Sequence, residues 1–229
     1  MALFKSALIT QASGSIFGMT FSHNRGGAYI RARTVPTNPG SAYQSAVRGF
    51  LSQLVNHWQD TLTPEEREAW QYYAENVSVP NALGDPVFLS GLNHYVRANV
   101  PRLQAGLTRV DVAPVTFNLA LLTNPSFTAD ASDDDADVAF TNTDEWATAV
   151  GGALLCFFSR PVGKTINYFK GPYRYAGKVA GAVVPPTTPA TIALPFEVAE
   201  GHRIFGKFLA TTADGRLSVP FRGSTDAAA

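Results

Sequence analysis

Seven acidic side chains crowd one stretch of the sequence: Asp130, Asp133, Asp134, Asp135, Asp137, Asp144 and Glu145. Asp133, Asp135 and Asp137 have the alternate spacing with which oxygen ligands gather a Ca²⁺ ion. An EF-hand loop begun at Asp133 would need Gly at its sixth position and Glu at its twelfth, where Val138 and Asp144 stand. The cluster therefore reads first as a solvated acidic turn between strands, with weak Ca²⁺ binding as the alternative, and no metal site is assigned. Gly163-Lys164-Thr165 has the ending of a phosphate-binding loop, but Phe158 occupies the place of its first glycine, so a turn is expected. His23, His57, His94 and His202 fall in four different elements, and no Gly-x-Ser-x-Gly or His-Glu-x-x-His run accompanies them. Cys156, the single cysteine, lies among Leu155, Phe157 and Phe158 and reads as an inert buried thiol. Trp58, Trp70, Tyr72 and Tyr73 could make a sugar platform, yet their helical spacing favours a core. No catalytic residue and no cofactor is expected; the chain reads as a non-enzyme.

The remaining chemistry is cationic. No Asp or Glu occurs before Asp60, whereas Lys5, Arg25, Arg31, Arg33 and Arg48 do. Arg31 and Arg33 alternate on one face of an expected strand beside Tyr29, with Arg25 at the tip of an expected hairpin. Arginines spaced this way, without clustered lysines, suit a protein interface, where a planar guanidinium bridges carboxylates and carbonyls. Arg25, Tyr29, Arg31 and Arg33 are thus the candidate partner-binding residues. An ordinary solvated face and a nucleic-acid contact are the weaker readings.

These side chains need elements to hold them. At 229 residues, with 45% hydrophobic and 16% charged residues, the chain can bury a core and is not generally disordered. Its 18 basic and 18 acidic residues argue against a uniformly basic nucleic-acid binder. A lone cysteine rules out an intrachain disulfide framework. No apolar run approaches the roughly 18 to 20 residues that span a bilayer, and no signal peptide is evident at Met1 to Thr10.

β-type stretches at Ser15 to Ser22 and Ala28 to Val35, split by His23-Asn24-Arg25-Gly26-Gly27, predict a hairpin. Apolar residues from Tyr43 to Leu62 follow a helical period. A second helix is announced by Thr63 as N-cap, Pro64 at the first position and Glu66 completing a capping box. The two helices are expected to form an antiparallel hairpin. A third, from Ser90 to Gly106, should be kinked or cut short by Pro101. Its help, or that of another subunit, is needed to cover the Tyr43 to Leu62 stripe. From Ala113 onward, runs at Val115 to Leu122, Asp137 to Asn142, Gly152 to Arg160, Tyr173 to Ala182, Thr191 to Val198, Arg203 to Thr212 and Leu217 to Phe221 predict seven strands. That spacing is the one expected of an immunoglobulin- or fibronectin-like sandwich. The expected class is α+β, with an arm at 1–39, a helical unit at 40–112 and the sandwich at 113–229.

Gly14-Ser15-Ile16, the run Thr20 to Gly27, Arg31, Arg33, Val35 to Pro39, Gln44 and Ala46-Val47-Arg48, followed by Trp58, Leu62-Thr63, Glu66, Ala69-Trp70 and Tyr73-Ala74, carry a resemblance. Over roughly Gly14 to Gly106 the sequence resembles a family of uncharacterised proteins of tailed bacteriophages, prophages and some bacterial genomes, taken to be virion components. The carboxy-terminal part looks like the immunoglobulin-like domains that phages add to particle proteins. The resemblance implies a structural protein assembled in the bacterial cytoplasm and residing in the virion; a basic extended arm together with a compact domain suits a capsid decoration or cement, and a neck or tail component is an alternative. It implies other virion proteins as partners, such as the major capsid protein or tail proteins; a homo-oligomer is expected from the balanced charge, which leaves little long-range repulsion between copies. A glycan- or receptor-binding module is the alternative function.

Overall fold

In a computed structural model the chain divides into two units, Met1–Ala42 and Tyr43–Ala229; described are residues 2–3, 12–24, 27–35, 37–38, 40–81 and 84–229. The first unit is a four-stranded antiparallel sheet. Its strands are β1 (Ala2–Leu3), β2 (Gly14–Ile16), β3 (Met19–Asn24) and β4 (Gly27–Ala32), in the order β1-β4-β3-β2. The β3–β4 hairpin forms where expected. The Ser15 to Ser22 stretch, read as one strand, is instead two. It doubles back at Phe17-Gly18, where Phe17 takes φ 51°, and the cross-strand Ser15–Thr20 hydroxyl bond of 2.8 Å closes the turn.

The second unit opens with helices α1 (Ala42–Asp60) and α2 (Pro64–Asn76), passes through a short ribbon of β5 (Ser78–Pro80) and β6 (Pro86–Phe88), and continues into α3 (Gly91–Gln104). The capping box at the start of α2 is present: Glu66 N donates to Thr63 Oγ1 at 3.2 Å, and Thr63 N to Glu66 Oε2 at 2.9 Å. Pro101 lies inside α3, which ends at Gln104, one turn later; Gly106, at φ 64°, then turns the chain so that Leu107 N reaches Arg102 O at 2.8 Å. Instead of a simple α1–α2 hairpin, α2 runs along α3. Gly91 makes that approach feasible, because a Cβ there would lie 2.8 Å from the Gln71 backbone nitrogen. From α1, Leu54 and Trp58 enter the shared core with Leu62, Trp70, Tyr73, Val77 and Tyr95. Leu51 stays 46% exposed, while at the start of α1 Tyr43 Oη accepts from Gln104 Nε2 of α3 at 2.5 Å, so the long α1 stripe is only partly covered.

After the helices come β7 (Ser126–Asp130), β8 (Asp135–Ala139), the short helix α4 (Glu145–Thr148), β9 (Ala153–Phe158), β10 (Arg174–Ala180), β11 (Ala190–Ala193), β12 (Arg203–Thr211) and β13 (Phe221–Asp226). They make two antiparallel sheets, β11-β8-β7 and β10-β9-β12-β13. Between the sheets lies the largest core, where Phe127 of β7 meets Phe158 and Phe208 at ring separations of 5.3 and 5.5 Å. The chain is thus a mixed protein of helices and antiparallel sheets.

Two expected strands differ. Val115 to Leu122 is not a strand; Val115, Phe117 and Leu121 are exposed, while Ala113 and Leu119 pack on the helical core. The alternation there comes from a connecting segment that touches the helices on one side. The last strand is Phe221–Asp226, not Leu217 to Phe221, because Leu217 makes only an isolated bridge to Thr211 and turns into a second core. That second core explains β9. Its residues Ala153–Phe158 are all buried, Leu154, Cys156 and Phe158 in the core between the sheets, and Ala153, Leu155 and Phe157 against Ala105 and Leu107 at the end of α3. A strand buried on both faces has no reason to alternate.

Hydrogen-bonded cations, Arg102 buried and Arg97 and Lys178 half-buried, join the helices, read as 40–112, to the sheets, read as 113–229. Arg102, 3% exposed, donates from Nη1 to Thr212 O at 2.8 Å, Thr211 Oγ1 at 3.1 Å and Gly151 O at 3.2 Å, and from Nε to Thr108 O at 2.9 Å. Arg97 donates to Leu217 O and Ser218 O at 3.1 and 2.9 Å, and Lys178 Nζ to Ala105 O at 2.8 Å. Carbonyl dipoles in place of carboxylates satisfy these donors. Burial, the main cause, lowers the pKa of both arginines.

Candidate interaction surface

In an antiparallel sheet directly paired residues share a face, and neighbours along a strand alternate. In the first unit Thr20 pairs with Arg31, Ser22 with Tyr29 and Ser15 with Thr20. One face therefore carries Ser15, Thr20, Ser22, Tyr29 and Arg31, and two residues beyond Arg31 the alternation brings Arg33 to the same side. Arg33 N donates to Gly18 O at 2.8 Å, extending the ladder past the end of β4. The opposite face carries Ile16, Met19, Phe21, Ile30 and Ala32. Tyr29, Arg31 and Arg33 are thus brought together; Arg25 lies outside the described residues. Neither the Arg31 nor the Arg33 guanidinium has an ion-pair or hydrogen-bond partner among the described residues. No described side chain of this unit is buried; Ile16 is 60% and Met19 50% exposed. Among the described residues this sheet thus has one apolar and one cationic face, and neither is buried.

The other residues singled out in the sequence are held apart. Asp130 ends β7, Asp133 and Asp134 lie in the tight turn after it, and Asp135 and Asp137 belong to β8; three of these carboxylates accept hydrogen bonds within the fold. Asp130 Oδ1 accepts from Ser132 N and Oγ, both at 2.7 Å, Asp134 Oδ1 from Val198 N at 2.6 Å, and Asp137 Oδ1 from Thr191 Oγ1 at 2.6 Å. Among the described residues no three His, Cys, Asp or Glu side chains converge as a metal site. Gly163-Lys164-Thr165 lies in the exposed β9–β10 connection. Burial pushes the Cys156 thiol up to about 12, which leaves it unreactive at neutral pH.

The histidines do not meet substrate-like space. His94 is buried edge-on to Tyr73 with ring centroids 5.2 Å apart. Burial and then Arg97 lower its pKa, against a hydrogen bond to the Val77 backbone. His57 Nε2 lies 3.4 Å from Asp111 Oδ1. Asp111 also accepts from Tyr95 Oη at 3.1 Å and Arg109 Nε at 2.6 Å, while its backbone carbonyl accepts from Trp70 Nε1 at 2.7 Å. Burial opposes ionisation there, but the Arg109 and Tyr95 bonds and the Arg109 charge together hold the carboxyl below its usual value. This hub ties the connecting segment onto the helical core. Trp70 and Tyr73 are core residues and Trp58 is partly buried beside them, so the helical aromatics make no sugar platform; only Tyr72, 59% exposed, stands clear.

The sequence reading missed a second charged region. Between Glu145 and Glu197 there is no acidic residue, but Arg160, Lys164, Lys170, Arg174 and Lys178 are present. Asymmetry over fifty residues was a readable signal; its meaning depends on the strands that flank it. Arg222 of β13 pairs directly with Lys207 of β12, and neither makes an ion pair among the described residues. Beside them the β9–β10 connection folds Phe169 onto Phe205, rings stacked at 5.7 Å, with Tyr173 edge-on to Phe169 at 5.2 Å.

No family model matches this chain, and no curated protein matches it in sequence. No helix among the described residues is long and apolar enough to cross a membrane.

Proposed function

We infer that the chain is a non-enzymatic structural protein of a tailed-bacteriophage particle, residing in the virion after assembly in the host cytoplasm. The observation that carries this reading is the first unit, a four-stranded sheet without one buried described side chain and with unpartnered Arg31 and Arg33 on its polar face. Such a unit gains its stability by docking. Tyr29, Arg31 and Arg33 are its contacts to carboxylates and carbonyls on a neighbouring virion protein, the major capsid protein or a tail protein. Charge supports self-association as well. Residues 1–42 hold four basic and no acidic residues, which leaves 43–229 with an excess of four acidic ones, so copies can attract one another.

The two-sheet part of the second unit is the displayed body. Its strand order, β7-β8-β11 against β10-β9-β12-β13, is the connectivity of fibronectin-type sandwiches, with β10 in the place of the extra strand beside the third. This supports the immunoglobulin- or fibronectin-like reading, and a capsid decoration or cement is the role that suits an open docking sheet beside a self-sufficient body. The test is the composition of purified particles. Stripped particles should contain a stoichiometric band near 24.5 kDa, lost when Arg31 and Arg33 are both replaced by Ala. A chain confined to the lysate, absent from particles and strictly monomeric at high concentration, would overturn the reading.

A further inference from the structure

The cleft of about 300 Å³ beside β13 is lined by Asn167, Tyr168, Tyr173, Phe205, Arg222 and Ser224, together with Phe169. Its floor is rigid, because the Phe169–Phe205 stack is buttressed by Tyr173, whose hydroxyl donates to Phe169 O at 3.1 Å. Tyr168 stands 77% exposed at its edge. Asn167 Oδ1 accepts from Arg203 Nη1 at 2.5 Å, which orients the amide and leaves its Nδ2 as a donor. Arg203 in turn is neutralised by Asp226 at 2.8 Å. Arg222 has no such counter-charge and faces a like charge instead. Its cross-strand neighbour Lys207 is held over the Phe157 ring at 4.7 Å and lies 5.9 Å from the Tyr173 centroid. Like charges directly opposite on adjacent strands destabilise a sheet, and Lys207 is further penalised by burial. An arrangement that costs stability, points a free guanidinium into an aromatic cleft and has no acidic residue between Glu145 and Glu197 to relieve it is suited to an anionic ligand.

We propose that this cleft binds an acidic saccharide, a sugar carrying a carboxylate. The exposed aromatic faces take the C–H side of a pyranose ring, Asn167 Nδ2 and Ser224 Oγ meet its hydroxyls, and Arg222 receives the carboxylate through its fork of N–H donors. One cation lines the cleft directly, where a nucleic-acid strand would need a series of them along a groove. The proposal does not depend on whether the chain is part of a virion.

The experiment is calorimetric titration of the full chain with galacturonate and glucuronate oligomers and sialyllactose, and with the same sugars after reduction of the carboxyl group. Expected is binding of at least one acidic sugar, weakened about tenfold on reduction of its carboxyl. Arg222→Gln should cost the acidic sugar about tenfold and leave the reduced sugar unchanged, whereas Tyr168→Ala should weaken both. Both positions are exposed, and a thermal melt no lower than that of the parent chain shows that each variant folds, with Arg222→Gln expected to raise it by relieving Lys207. Failure of every acidic sugar to bind, or binding indifferent to Arg222→Gln, overturns the proposal. Tighter binding of a short oligothymidylate that Arg222→Gln abolishes would overturn it in favour of single-stranded nucleic acid.

Discussion

The first unit and the centre of the second solve opposite problems with the same element. In the first, β3 and β4 present Phe21 and Ile30 on one side and Tyr29 and Arg31 on the other, and no described side chain is buried. In the second, β9 has every side chain buried, one face against the opposing sheet and the other against the end of α3. A sheet covered on both faces contributes stability wherever the chain is; a sheet covered on neither needs something to meet. The difference separates a closed body from an open sheet. It also sets Arg97 and Arg102, hydrogen-bonded to backbone carbonyls inside the second unit, against Arg31 and Arg33 of the first, whose guanidinium groups have no partner among the described residues.

The sharpest way to break this contrast is at the core of the body. Trp70→Ala removes a fully buried ring and orphans the Asp111 carbonyl, and should cost roughly 3 to 5 kcal/mol in chemical denaturation; a change within error would mean that the helical core is not closed. Next comes the joint between helices and sheets. Arg102→Ala leaves three carbonyls and the Thr211 hydroxyl without their donor and should cost about 2 to 4 kcal/mol. If helices and sheets then melt in two steps, the arginine is what makes them one cooperative body.

A smaller effect follows from His94. Its folded pKa lies below the ordinary 6.5, so as pH falls beneath 6.5 the unfolded chain takes up a proton that the folded chain refuses. Stability should therefore decline with acidification from about pH 6.5 down to the folded pKa, and His94→Gln should flatten that slope. Asp111 adds a second loss lower down. Its depressed pKa contributes stability that is present above the ordinary carboxylate range and disappears as pH drops through the folded value. The smallest effect belongs to the open sheet: Arg31→Ala with Arg33→Ala should move the melting free energy by no more than about 0.5 kcal/mol, although incorporation into particles is lost. A large destabilisation there would show that the two arginines hold the sheet together and are not its docking contacts.

The amino-acid sequence by itself determined the features whose partners lie within one turn of chain. Thr63, Pro64 and Glu66 started α2, Ser90 capped α3, and His23 to Gly27 marked the β3–β4 hairpin, because capping and tight turns are bonds between near neighbours. After Ala113 the turn signals marked most strands, but the sequence reading misses β7 (Ser126–Asp130) and counts Val115 to Leu122 as one; the clustering of Tyr29, Arg31 and Arg33 on one face was legible, because it needs only the two-residue period of a strand. Tertiary structure decided everything that turned on a distant neighbour. Val115 to Leu122 alternates like a strand, but its apolar residues find the helical core, the core between the sheets (Leu122) or solvent in place of a pairing strand. Whether an arginine is a joint, as Arg102 is, or stays exposed, as Arg31 does, depends on acceptors such as the Thr211 hydroxyl and the Thr212 carbonyl, which arrive from more than a hundred residues away. The aromatic cleft likewise exists only because β12 and β13 bring Phe205, Lys207 and Arg222 beside Tyr168 and Tyr173. Local geometry is written in spacing, whereas charge compensation and burial are set by whichever surfaces folding brings together.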